Sequence, residues 1–311
     1  MKSAVTMIFF NRPDTLQLVF DKVREAQPPK LFLVQDGPRE GNEKDARGVE
    51  ACRKIVENID WDCEVYRNYS DVNLGCGVRP MSGITWALSQ VDRTIILEDD
   101  CVPDPTYFAY CDEMLERYAH DERIAYISGM NHFEEWDFGG SSYGFAKGGA
   151  IAAWATWKRA WDRYDYAVTG IADPYVEKQL KTALGKDARK IDWWKKTSTL
   201  VQQGTKISYW DAQWGFVKHS QNQLVIVPKY NLISHIGVGA DSTHASLAIS
   251  DHRKYRDYNN MPVKSLEFPL VHPVHMMCAF DYDAMLVRCN DNARKRLFWK
   301  AVKNKLLNKK K

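Results

Sequence analysis

The chain lacks any apolar run long enough to span a bilayer, which needs about 20 predominantly apolar residues. Its apolar start, residues 4–10, is too short for a secretory signal and runs straight into Asn11-Arg12-Pro13. It is expected to be a first β-strand. Seven cysteines are scattered without a Cys-x-x-Cys pair. An odd, unpatterned set argues against a zinc site and for reduced thiols, so a cytoplasmic protein is expected. Neither Gly-x-Gly-x-x-Gly nor Gly-x-x-x-x-Gly-Lys-Ser/Thr occurs, which removes a dinucleotide fold and a P-loop. There is no internal repeat. No nucleic-acid recognition fold is visible and the body of the chain is mildly acidic, so nucleic acid is not an expected partner.

What is present suffices for a sizeable core. The chain has 311 residues, 45% of them hydrophobic, enough for one large α/β domain or two smaller ones. Eleven tryptophans are many, and they concentrate between Trp136 and Trp214. Aromatic faces suit sugar rings and flat bases, although most tryptophans are simply core. The net charge of +3 conceals an asymmetry: residues 294–311 carry nine Lys or Arg and no acid. In that tail Leu297, Phe298, Ala301, Val302 and Leu306 share one broad side of a helix, interrupted by Lys305. Such a segment suits either an anionic membrane surface or a solvated terminus.

The chain is organised around Thr94-Ile95-Ile96-Leu97-Glu98-Asp99-Asp100. The apolar part reads as a strand buried on both faces, and the acids fall where it ends. In open α/β sheets that carboxyl edge is where ligands bind. Three adjacent carboxylates repel one another. A divalent cation with oxygen ligands, Mn²⁺ or Mg²⁺, is the natural compensation and would also meet a substrate's phosphates.

Around this stretch the first ~130 residues alternate strand and helix. Strands are expected at Ala4–Phe10, Leu31–Val34, Cys63–Tyr66 and Ile124–Ser128. Helical spacing is seen in Leu16, Val19, Phe20 and Val23, with Asn11 a cap and Pro13 in the first turn. It recurs in Val49, Cys52, Val56 and Ile59, and in Met81, Ile84, Leu88 and Val91. Beyond Gly129 the pattern loosens. Residues 131–149 read as loop, Ala150–Ala155 as a strand, and 165–206 as one or two helices. A helix starts at Trp210-Asp211, strands are expected at Leu224–Val227 and Asn231–Ile236, and a polar glycine loop spans 237–244. Asp251, Asp281 and Asp283 read as surface acids.

With these residues placed, the chain resembles the GT-A class of nucleotide-sugar glycosyltransferases, and within it the group related to N-acetylglucosaminyltransferase I and bacterial glycosyltransferase-like proteins. The match is spread in order over residues 4–245. Phe10-Asn11-Arg12-Pro13-Asp14 resembles the family's first strand–helix junction, and Val34-Gln35-Asp36-Gly37 its second-strand motif. Glu98-Asp99-Asp100 resembles the Asp-x-Asp-type metal motif, and Trp210-Asp211 through Trp214 the segment that supplies the catalytic base. Gly83 stands where the enzyme relative has a nucleotide-contacting His, and Ala212 replaces the second acid of the base segment.

The resemblance implies an α/β, GT-A fold with a mixed, mostly parallel sheet flanked by helices. Residues 1–130 would form the nucleotide-sugar half, 131–290 the acceptor and catalytic half of the same domain, and 291–311 a basic tail. It also implies metal-dependent, inverting transfer from a nucleoside-diphosphate donor, a UDP-sugar in the first place, to a glycan or lipid-linked hydroxyl. Asp100 would bind the metal; His235 and His244, which flank the glycine loop, read from their position as either a further metal ligand or pyrophosphate contacts. Glu98 and Asp99 would face the ribose or sugar, Asp36 the base, and Arg12 and Arg79 phosphate or base. Asp211 would be the general base, its pKa raised by burial between Trp210 and Trp214. Each has a structural alternative: Asp36 closes a turn, Arg79 lies on the surface, and Asp211 is favoured by the helix dipole. A non-catalytic nucleotide-sugar or glycan-binding module and a nucleotidyltransferase are the rival functions.

Overall fold

The computed structural model describes residues 1–237 and 259–289. The expected alternation is there: β1 (Ala4–Phe9), α1 (Pro13–Ala26), β2 (Lys30–Gln35), α2 (Glu43–Val56), β3 (Glu64–Tyr69), α3 (Arg79–Leu88) and β4 (Arg93–Glu98). The apolar positions at helical spacing are the buried ones, Leu16, Val19, Phe20 and Val23 in α1 and Val49, Cys52 and Val56 in α2. One detail differs. Arg12, not Asn11, occupies the N-cap of α1 and makes no capping bond there. The Asn11 amide instead donates to Asp45 Oδ1 at 2.8 Å, tying α1 to the first turn of α2.

The chain continues through β5 (Cys101–Pro103), α4 (Tyr107–Arg117), β6 (Ile124–Ser128), β7 (Tyr143–Ala146), β8 (Ala153–Trp157) and α5 (Lys158–Trp161). Then come α6 (Pro174–Leu184), α7 (Arg189–Gln202), α8 (Asp211–Ser220), β9 (Leu224–Pro228) and β10 (Ile233–His235). β7 falls in the stretch expected to be loop. It is short, and its Gly144 is needed because the Phe138 ring lies where a Cβ would be. Residues 280–289 form a further helix. Its Asp283 is not a surface acid: it accepts from the Lys147 and Gly148 amides at 2.9 and 2.8 Å. Asp251 lies outside the described residues, as does the basic tail.

The fold is α/β, with a large mixed sheet flanked by helices. One sheet runs β3-β2-β1-β4-β8-β6-β9-β7, and a two-stranded ribbon pairs β5 with β10. β1, β2, β3 and β4 are mutually parallel, β8 runs antiparallel between β4 and β6, and β7 runs antiparallel on the edge. Helices cover both faces. Ile95 and Leu97 of β4 join Leu16, Phe20 and Met114 on one side. Ile96 joins Ile84, Trp154, Trp194 and Trp214 on the other. This double burial is why the strand reads as an unbroken apolar run. Four of the tryptophans take an ordinary core role: Trp154, Trp161, Trp210 and Trp214 pack ring to ring in the second core.

Candidate functional site

The strand order reverses between β1 and β4, and both run with β2 to the same edge of the sheet. In register, Ile8 of β1 faces Glu98 of β4, and Phe9 faces Gln35 of β2. The three strands therefore end level, and the residues just beyond them, Phe10–Arg12, Asp36 and Asp99–Asp100, meet at one crevice. That is the position at which open α/β sheets take their ligands.

The acids are compensated by the chain itself. Asp99 accepts from the Phe10 amide at 3.2 Å and from the Arg12 guanidinium. Arg12 also reaches Asp100 Oδ2 at 2.9 Å. His235 Nε2 lies 3.6 Å from Asp100 Oδ1, carried there by the β5–β10 ribbon, in which His235 sits opposite Cys101. The Ile236 amide donates to the Asp100 carbonyl at 2.8 Å. The chain then passes so close that a Cβ at Gly237 would overlap Asp100 Oδ2. Burial first, and the charges of Asp100 and Asp99 next, push Glu98 up to about 8. Burial works against ionised Asp100 too, but His235 and Arg12 outweigh it and hold its carboxyl below the usual range.

Among the described residues, Asp100, Cys101 and His235 bring one donor atom each within 4.8 Å of one another. Their chemistry is unequal. Cys101 is fully buried, and burial followed by Asp100 raises its thiol well above the ordinary value. A neutral thiol is a poor ligand for a hard cation. That leaves the carboxylate of Asp100 as the oxygen donor of the cluster, with the imidazole of His235 beside it. His244 lies outside the described residues.

Asp36 and Arg79 are at the crevice but heavily engaged. Asp36 Oδ1 accepts from the Gly37 and Leu74 amides at 3.0 and 2.8 Å. Its Oδ2 accepts from the Gly75 amide and Asn73 Nδ2 at 2.8 and 3.1 Å. It thus fastens the 73–77 loop as a wall of the crevice. Arg79 is buried, not on the surface. It donates from Nε to the Gln35 carbonyl at 3.1 Å and from Nη2 to the Asn68 backbone and side chain. It locks α3 to the ends of β2 and β3.

Gly83 is explained by packing: a Cβ there would overlap Val34 Cγ1 of β2, so a His at this point of α3 has no room. The 73–77 loop also touches the segment before α8. Cys76 Sγ lies 2.8 Å from the Ser208 carbonyl, and Lys206 Nζ lies 3.3 Å from that of Asn73. Lys206 is a cation beside the crevice that no sequence motif marks.

Asp211 opens α8 and is exposed. The expected burial between Trp210 and Trp214 does not occur, because both indoles turn into the aromatic core and are themselves buried. Asp211 still faces the crevice closely enough to add to the negative surroundings of Glu98 and Cys76.

No family model matches the chain, and no curated protein does. Solved structures with a similar layout include the galactosyltransferase LgtC in complex with donor and acceptor sugar analogues. It is 14% identical over 73% of each chain, at a TM-score of 0.35. Mouse xyloside xylosyltransferase 1 is 10% identical over 73% of this chain and 85% of that one, at 0.37. A UDP-glucose pyrophosphorylase complexed with UDP-glucose is 8% identical over 82% of this chain and all of that one, at 0.39.

Proposed function

We propose that the protein is a metal-dependent, inverting glycosyltransferase that moves a sugar from a nucleoside-diphosphate donor, a UDP-sugar in the first place, to a hydroxyl of a glycan or lipid-linked acceptor. The observation that supports it best is the meeting of Glu98, Asp99 and Asp100 with Arg12 and His235 at the crevice between β1 and β4. Asp100 and His235 would hold the cation. When bound, it supplies Lewis-acid compensation for charge on the leaving diphosphate. Arg12 brings guanidinium donors to the same place and suits phosphate oxygens. Glu98 and Asp99 would accept from ribose or sugar hydroxyls. Asp36 contributes by holding the 73–77 wall against the base, and Arg79 by fixing the strand ends beneath it.

Asp211, across the crevice at the start of α8, would take the proton of the acceptor hydroxyl. A single base with direct displacement inverts the anomeric centre. Among the described residues no helix is long and apolar enough to cross a membrane. The proposed setting is the cytoplasm, where nucleotide-activated donors are made.

The rival is a binding module without turnover. It is favoured by the engagement of Asp36 and Arg79, which leaves them few donors or acceptors for a ligand. Calorimetric titration of UDP, GDP and CDP, with and without Mn²⁺, separates the possibilities. One nucleotide is expected to bind only with the metal, and Asp100→Ala is expected to lose that binding. Asp211→Asn should keep the binding and lose about 100-fold or more in transfer rate. Wild-type protein that binds but turns over no donor sugar would support the module. No nucleotide binding at all would remove the transferase reading and leave a glycan-binding module as the reading to test.

A further inference from the structure

Arg12 holds the acids of the crevice by a single nitrogen. Its Nη2 donates to Asp99 and, at 2.9 Å, to Asp100 Oδ2. Among the described residues Nε and Nη1 make no hydrogen bond. The parallel two-point fork that makes guanidinium–carboxylate pairs strong is thus formed with neither acid, and the N–H groups of Nε and Nη1 remain unused. The Arg12 side chain is 24% exposed, against 4% for Asp99 and 9% for Asp100, so the guanidinium lies on the open side of two buried carboxylates. It is also loosely tied to its own elements. Arg12 stands between β1 and α1, and its side chain makes no capping bond to the helix. It can leave Asp100 without loosening either one, while the Phe10 amide keeps its hold on Asp99.

Asp100 has no idle oxygen. Oδ2 takes Arg12, and Gly237 passes so close that a Cβ would overlap it. Oδ1 takes the Cys101 thiol at 3.3 Å and lies 3.6 Å from His235 Nε2. A hard dication such as Mg²⁺ binds through one or two carboxylates together with substrate phosphates, so one oxygen of Asp100 suffices for it, but that oxygen must be released. A dication and a guanidinium on one carboxylate repel each other by more than a hydrogen bond returns. The two therefore exclude one another at Asp100. The anion that comes with the dication offers the guanidinium a new partner, because its unused N–H groups suit phosphate oxygens.

We propose that Arg12 is a placeholder cation. Before ligand binds it neutralises Asp99 and Asp100, and it swings about Asp99 onto the diphosphate when a divalent cation takes Asp100. The inference rests on reading the crevice as a site for a cation and a nucleoside diphosphate. Binding of Mn²⁺ alone to the full chain is measured by electron paramagnetic resonance of the unbound ion, with thermal melts as the check of folding. Arg12→Gln is expected to bind Mn²⁺ about tenfold or more tighter than wild type, because the competing charge is gone. Arg12→Lys keeps that charge and should stay close to wild type. A residue that only positioned the acids would act in the opposite sense, its loss weakening Mn²⁺ binding. Equal or weaker binding by folded Arg12→Gln therefore overturns the proposal. Wild type supplies a second measurement that needs no stable Gln variant. The Arg12 guanidinium resonance, assigned by its loss in Arg12→Lys, should shift when Mg²⁺ and UDP are added together. An unmoved resonance with nucleotide bound overturns the swing. Failure of the transferase reading looks different: no nucleotide adds to Mn²⁺ binding in wild type, while Arg12→Gln still decides whether Arg12 competes with the cation.

Discussion

Glu98 shows how a residue's neighbours set its charge. Burial and two adjacent carboxylates move it from the ordinary 4.5 to about 8, so the folded chain holds its proton longer than the unfolded chain does. Stability linked to that proton is complete below the unfolded value and is lost as pH rises through about 8. The metal-free protein is therefore expected to melt at lower temperature at about pH 9 than at about pH 5, and Glu98→Gln to lose less over the same interval. Thermal melts at both pH values check this, and equal slopes in the two proteins would count against it. A cation added at the higher pH should restore stability, since it meets a fully ionised triplet. Asp100 behaves oppositely because His235 and Arg12 face it directly. One strand end thus carries carboxyls tuned in both directions.

At the scale of elements, the crevice depends on how closely α3 lies on β2. Gly83 permits that approach, since any Cβ would overlap Val34. Gly83→Ala is expected to cost about 1–3 kcal/mol through overpacking. Combining it with Val34→Ala should cost less than the sum of the two single changes, because the second makes room for the first. Denaturant melts of the three variants measure the coupling, and additive costs would mean that α3 simply shifts. The same closeness explains why a sequence comparison that puts a His at this position cannot be carried into contacts. The β5–β10 ribbon has the complementary task of bringing His235 to Asp100 from far along the chain.

Across the whole molecule, the legible features were those with a local period. The buried run of β4, its terminal acids and the amphipathic α1 and α2 could all be read because each pattern is complete within its own segment. Three features were not legible. The engagement of Asp36 and Arg79 depends on Asn73 and Asn68, on other loops and strands. The exposure of Asp211 depends on which way two indoles turn. β7 is too short and too broken by glycine to show a strand period.

The place of β8 has a consequence for how the protein is made. On the ribosome, β4 and β6 are complete before β8, yet β8 must enter between them. Until Trp154 emerges to pair with Ile96 and Ser128, both strands present bare, apolar edges to solvent. Such edges invite pairing between nascent chains. A fragment ending at residue 130 should therefore be recovered as aggregate rather than as an autonomous nucleotide-binding unit, with size-exclusion chromatography of the expressed fragment as the check. Recovery as a folded monomer would mean that β4 and β6 find a provisional partner. The site is completed late, once β10 has brought His235 to Asp100.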